Sequence, residues 1–181
     1  MDTSKMEYTA EDLISYRLQR SDIFVAKPIF DLKGTDLLAF IEMDDGVKFC
    51  RIQCKGRTVK ENGGEITIKK SYVTKGFIVF LYVDSGVFEE QNLYCFFSTE
   101  IKEQNKWRTR DDDYVLSIKK DFKSDLSFFE FNESKIKLIK LVISTAQNTG
   151  EFRRLIYGEG GCVVPGVIAG GTMDVSTGKN E

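Results

Sequence analysis

The sequence contains no histidine, two prolines and one tryptophan. It has no apolar run near the roughly 18 residues that a membrane-crossing helix requires. Without histidine, Ser-His and Cys-His nucleophile pairs and the HExxH zinc motif are excluded. The cysteines are Cys50, Cys54, Cys95 and Cys162; none forms a CxxC pair, which argues against a zinc site. Cys50 and Cys54, four apart in an expected strand, stand roughly 13 Å from each other, too far for a disulfide. Buried reduced thiols are the expectation. The amino-terminal stretch MDTSKMEYTAEDL has no signal-peptide apolar core, so a cytoplasmic location is expected. Any catalysis must run on carboxylates, amides, lysines and hydroxyls.

What is present is a globular composition: 181 residues, 41% apolar, 12% aromatic and 30% charged. That length suits one compact domain. The expected division is a domain over residues 1–147 and a Gly-rich, loosely packed tail over residues 148–181. The net charge of −2 conceals a local split. Residues 46–75 hold Lys48, Arg51, Lys55, Arg57, Lys60, Lys69, Lys70 and Lys75 against Glu61 and Glu65, a balance of +6, whereas residues 81–113 balance at −4. One surface should therefore attract phosphate, unless these charges are solvated strand faces with no partner.

Thr9, followed by Glu11 and Asp12, reads as the N-cap of a helix over about residues 10–20, with Leu13, Ile14, Tyr16 and Leu18 as its apolar pattern. Strand-like runs follow: Ile23 to Val25, Asp36 to Met43, Val47 to Lys55, Glu65 to Lys70, Phe77 to Val83 and Leu93 to Phe97. The run GFIVFLYVD is apolar on both faces, as in a central strand covered on each side. Ser98 caps a short helix, an irregular acidic loop runs from Trp107 to Asp113, and Tyr114 to Lys119 is a strand. Asn132 and Glu133 open a helix to about Gln147, with Ile136, Ile139, Ile143 and Ala146 on its inner face and Leu138, Leu141 and Val142 widening the stripe. The fold class is mixed α/β or α+β, a central sheet flanked by helices, with a helix first.

The segment that carries chemistry is FDLKGTDLLAFIEMDDGVKFCRIQCKGR, residues 30–57. Asp45-Gly46 suits a two-residue type I′ hairpin turn, with a three-residue loop as the alternative. With that turn Asp44 pairs with Val47, Asp36 faces Lys55, and Gln53 faces Leu38. Alternation then sets Asp36, Gln53 and Lys55 on one face. Mg²⁺ or Mn²⁺ takes hard oxygen ligands and keeps several waters. Asp36 offers a carboxylate, Gln53 its amide oxygen and Cys54 its main-chain carbonyl. Lys55 could orient the attacking water, assist its deprotonation, or stabilise charge on a phosphate.

Gly-Thr-Asp followed seventeen residues later by Q-x-K, with a helix bearing an acidic residue ahead of it, resembles the PD-(D/E)XK, or restriction-endonuclease-like, nuclease superfamily. It is most similar to small members such as Holliday-junction resolvases and homing endonucleases, over about residues 8–97. The resemblance implies a metal-dependent DNA endonuclease whose first helix contributes a carboxylate to the metal. Glu11 is the candidate, because it shares a helical face with Ile14 and Leu18; Asp12 is the competitor. Gln53 departs from the more usual Glu, and Pro28 lies eight residues before Asp36 instead of directly preceding an acid. The expected partner is DNA, with RNA or branched DNA as variants, and a homo-oligomer is a further expectation because a single site cuts one strand at a time. The alternatives are a non-catalytic nucleic-acid-binding module on a degenerate nuclease fold, and an interaction domain without a nucleic-acid partner. On the bland reading Asp36 and Lys55 are only a cross-strand ion pair.

Arg51, Arg57, Lys60, Lys69 and Lys70 are the expected phosphate contacts. Tyr72 could stack on a base, although packing is the commoner use. Asp31 falls in the turn-like DLKG, and Asp111 to Asp113 read as a solvated loop. GEGGCV lacks the last glycine of GxGxxG and TGKN lacks the hydroxyl residue of a P-loop, so neither is a nucleotide loop.

Overall fold

The computed structural model describes residues 3–29, 33–43, 46–59, 63–86, 90–103 and 105–146. Asp31, Lys60, the Asp44-Asp45 pair, Cys162 and the whole of residues 148–181 lie outside these. The chain opens with helix α1 (Thr3–Gln19) and continues through strands β1 (Phe24–Ala26), β2 (Leu37–Met43), β3 (Gly46–Thr58), β4 (Gly64–Lys69), β5 (Phe77–Asp84) and β6 (Asn92–Phe97). Helix α2 (Ser98–Glu103), strands β7 (Trp107–Arg110) and β8 (Asp113–Ile118), helix α3 (Phe122–Asp125) and helix α4 (Glu133–Ser144) complete it. Among the described residues no helix is long and apolar enough to cross a membrane.

Five strands form a mixed sheet in the order β1-β2-β3-β5-β6. β1, β2 and β3 are antiparallel neighbours, β3 and β5 run parallel, and β5 and β6 are antiparallel. A parallel pair needs a long crossover. The crossover from β3 to β5 carries β4, which leaves the central sheet and pairs with β8 in a second, three-stranded sheet ordered β4-β8-β7. The result is three layers. On one face of the large sheet Ala10, Ile14 and Leu18 of α1 and Ile139 and Ile143 of α4 pack on Cys50, Ile52, Cys54, Ile78 and Phe80. On the other, Ile66, Ile68, Trp107, Leu116 and Ile118 of the small sheet pack on Val79, Leu81, Tyr94 and Phe96. The first layer positions the carboxylate of α1; the second leaves β3's outward residues partly covered.

Several boundaries differ from those read in the sequence. Helix α1 starts at Thr3, so Thr9 is an exposed residue within it and not its cap; the preceding residues include Lys, Met and Glu, which continue a helix readily. Trp107 to Arg110 is a strand, not the start of an irregular loop. It hairpins onto β8 through Asp111, whose φ of +51° is tolerated by an Asp. On α4 the buried stripe is narrower than expected, with Leu138 and Leu141 exposed. Its cap is the expected one: the Asn132 side chain accepts from the Lys135 N–H at 3.2 Å. Lys135 itself is buried against Glu100 Oε1 at 2.7 Å, its ammonium within 5.0–5.4 Å of the Phe97, Phe128 and Phe129 rings. Cys50, Cys54 and Cys95 are free and buried, as expected.

Candidate metal and nucleic-acid site

The β2–β3 register differs from the expected one by two residues. Met43 pairs with Gly46 and Leu37 with Ile52, so Gly46 is the first residue of β3 and not a turn residue. In this register Phe40 lies opposite Phe49, and both cluster with Leu38, while Phe24 stacks on Phe40 at 5.6 Å. Cross-strand aromatic pairing of this kind favours one register over another of the same parity. The ladder ends at Leu37, and Asp36 lies one residue beyond it, bonded to Ile52 and Cys54. A shift of two leaves every side chain of the ladder on its face, so Gln53 and Lys55 remain on one side with Arg51.

Asp36 stands where β2 and β3 separate. Its N–H donates to the Ile52 carbonyl at 2.9 Å, and the Cys54 N–H donates to its Oδ2 at 2.6 Å. The carboxylate thus takes the place of a ladder bond at the level where β2 has not yet begun. Both main-chain groups of a strand residue point to the same neighbour, so the Cys54 carbonyl is directed to this edge as well. Ahead of Asp36 the chain is tight. Gly34 has φ +65°, and a Cβ built on it would lie 2.6–2.8 Å from Tyr72 ring carbons and 2.7 Å from Gln53 Nε2. Thr35 and Gln53 are buried, and neither Thr35 Oγ1 nor Gln53 Oε1 has a hydrogen-bond partner among the described residues.

Glu11 comes from the opposite face, on the turn of α1 between buried Ala10 and Ile14. Its side chain is 14% exposed, whereas Asp12 is exposed. The Glu11 carboxylate forms an ion pair with Lys27, a residue the sequence reading did not single out. That pair holds the Lys27 ammonium above its ordinary range, the hydrogen bond to Glu11 being the largest cause. The Cys54 thiol senses the whole group: burial pushes it well up, Asp36 and Glu11 push it further, and Lys55 and Lys27 pull it back. Two carboxylates and two lysines therefore act on one point of β3. The signal that could have found Lys27 is long-range, since β1 is only three residues long and has no turn motif to fix its pairing.

The expected phosphate contacts are largely engaged within the protein. Arg51 is buried, its guanidinium donating to the Tyr72 carbonyl at 3.3 Å and the Thr74 hydroxyl at 2.5 Å and lying 5.4 Å from the Phe77 ring. This corrects its reading as a surface cation: strand alternation aims it between the two sheets. Arg57 donates to the carbonyls of Gly56 and Glu65. Lys69 pairs with Asp113 at 3.3 Å, and Lys70 donates to the Asp111 carbonyl at 2.5 Å. The basic and acidic segments thus meet across β4 and β8. Asp111 to Asp113 take part in that contact instead of forming a free loop. Tyr72 is half buried, packed against Gly34 and the second core cluster. Lys33, exposed at φ +55° three residues before Asp36, is a further cation near the site.

Among the described residues no three Asp, Glu or Cys side chains cluster as a metal cage. The set at the β2–β3 fork has two carboxylates, one amide and one carbonyl, a composition suited to a hard divalent ion that keeps several waters. An apolar groove of about 610 Å³ lies away from it, between α4 and the segment Phe97 to Glu100. Glu100 there is already committed to Lys135, so the groove does not compete as a site of chemistry.

No family model and no curated protein sequence matches the chain. Among solved structures, that of a bacterial homing endonuclease is similar with a TM-score of 0.50 and 12% identity, over 80% of this chain and 98% of that one. The fold resembles that of a nuclease. A Holliday junction resolvase of Archaeoglobus fulgidus, an archaeal hyperthermophile, is similar with a TM-score of 0.44 and 8% identity, over 72% of this chain and 93% of that one. The mixed five-stranded sheet with a leading helix agrees with the architecture expected from the sequence.

Proposed function

We propose that the chain is a metal-dependent endonuclease that hydrolyses DNA phosphodiester bonds at the β2–β3 fork. The observation that carries this reading is the buried Gln53 Oε1, without a hydrogen-bond partner among the described residues, on the residue before Cys54, whose N–H donates to Asp36. A buried acceptor of that kind is rare unless water or an ion completes it. Asp36, Gln53, Glu11 and the Cys54 carbonyl would hold Mg²⁺ or Mn²⁺, and the donor chemistry fits. When bound, the ion supplies a polarised water and positive charge for a phosphate oxygen.

The chain's own residues do the rest. The Cys54 N–H fixes the Asp36 carboxylate at the fork. Helix α1, anchored by Ala10, Ile14 and Leu18, brings the Glu11 carboxylate from the other side. Lys55, half buried on the face of Gln53, donates to the attacking water or to the non-bridging phosphate oxygen. Lys55 is the cation offered to the backbone of DNA, RNA or branched DNA. Cutting two strands requires two copies of this single site.

The test is nicking of supercoiled plasmid with Mg²⁺ or Mn²⁺ by the wild type, Asp36→Ala and Lys55→Ala. Metal-dependent nicking that both substitutions lower by at least about a hundredfold, a typical loss for one group acting in the transition state, supports the reading. Equal activity in all three refutes it. Gln53 brings one charge fewer than a glutamate, which favours one second reading, a binding module that docks nucleic acid without cutting. Salt-sensitive DNA binding that persists in EDTA without cleavage would select that reading.

A further inference from the structure

We propose that Lys27 is the internal counter-ion of this site, neutralising Glu11 in the metal-free protein and yielding that carboxylate when a divalent cation enters. The inference rests on the metal-site reading above. It begins with sheet register: Ala26 of β1 pairs with Leu38 of β2, so Lys27 arrives at the level of Leu37, beside the fork. Its ammonium reaches Glu11 directly, and that ion pair ties the edge of the sheet to α1.

Asp36 and Glu11 are opposed by Lys55 and Lys27, all four acting on the same thiol. A carboxylate held at a partly buried site is favoured by an opposite charge that compensates for the water it has lost. Lys27 supplies that compensation while the metal is absent. It is also placed to leave: its side chain is 56% exposed, and its ammonium lies 5.1 Å from the centre of the Tyr8 ring, a second favourable seat for a cation. Entry of Mg²⁺ or Mn²⁺ therefore exchanges one cation for another at Glu11. The ammonium released at the edge of the fork is then free to meet a phosphate, while the net charge of the site rises by that of the bound ion alone. Lys27 is a positioning residue in this scheme and touches neither the attacking water nor the scissile bond.

The experiment is direct binding of Mn²⁺, followed by calorimetry or by the loss of free-ion electron paramagnetic resonance signal, without nucleic acid. Lys27→Met and Lys27→Gln should each bind Mn²⁺ about two- to fivefold more tightly than the wild type, the range set by a half-exposed ion pair. Lys27→Arg should bind as the wild type or more weakly. In a Glu11→Gln background the gain from Lys27→Met should vanish. Wild type that binds Mn²⁺ with Lys27→Met and Lys27→Gln unchanged or weaker overturns the counter-ion while leaving the metal site standing. Wild type that binds no Mn²⁺ overturns both.

Discussion

Gly34→Ala isolates the backbone strain on which the site geometry depends. Gly34 has φ +65°, a region that costs an L-residue with a Cβ about 1–2 kcal/mol. The new methyl would also stand 2.6 and 2.8 Å from two carbons of the Tyr72 ring and 2.7 Å from Gln53 Nε2. Overpacking of this kind costs a further 1–3 kcal/mol or so. The expected destabilisation is about 2–5 kcal/mol, read as the shift in urea unfolding free energy. The two contributions separate in a Tyr72→Ala background. Removing the ring relieves two of the three contacts, so Gly34→Ala should there cost nearer the 1–2 kcal/mol or so of the backbone alone. Because the third contact is Gln53, the same variant should bind Mn²⁺ more weakly in proportion as the amide is displaced. A Gly34→Ala protein that unfolds within about 0.5 kcal/mol of the wild type, the range of ordinary surface changes, would refute the close approach of the Gly-Thr-Asp turn to Tyr72 and Gln53.

Three other outcomes follow from interactions outside the fork. Either Glu100→Ala or Lys135→Met should destabilise by about 3–5 kcal/mol, because each leaves one buried charge without its 2.7 Å partner; a double replacement by apolar residues should recover much of the loss, as urea unfolding would read. Lys106 and Lys119 hold the Asp125 carboxyl below its ordinary 3.8, so its stabilisation is present above that value and is lost as the pH falls through the lowered folded value; Asp125→Asn should flatten this acid limb in pH-dependent thermal melts. Cys50, pushed up to about 12 by burial, and Cys54 and Cys95, also raised, should resist a thiol reagent at pH 8 in the folded protein and react on unfolding, with a Cys162→Ser variant giving a clean background.

The parts of the fold legible in the sequence are those fixed by local pattern. The doubly apolar run from Phe77 is the central strand β5, buried along nearly its whole length between β3 and β6. The Asn132 cap and the 3.6-residue pattern after it mark α4 to within a few residues. What escaped depends on partners far along the chain. β7 is four residues of mixed polarity that become a strand only because β8 pairs with them. The second sheet joins Lys69 to Asp113, so the basic and acidic blocks, separate in sequence, neutralise each other in part. Counting charge along the chain exaggerated the field on the surface, because it could not see that Arg51 turns inward or that β4 abandons the central sheet.

The candidate site was legible for a different reason, and the error made in reading it explains why. The Asp45-Gly46 turn gave the wrong register, yet Gln53 and Lys55 keep their expected face, because a slip of two residues preserves parity where a slip of one would reverse it. Parity was the property that mattered. The two-residue correction alters the neighbours: the ladder ends with Leu37 opposite Ile52, and the Asp36 N–H donates to the Ile52 carbonyl. The carboxylate instead caps the Cys54 N–H at a fork where two strands part, with Glu11 and Lys27 entering from the helix side. A surface ion pair needs none of these features. A divalent cation would take a fixed carboxylate and a buried oxygen of this kind, and the fork holds Asp36 and Gln53 at one end of β3.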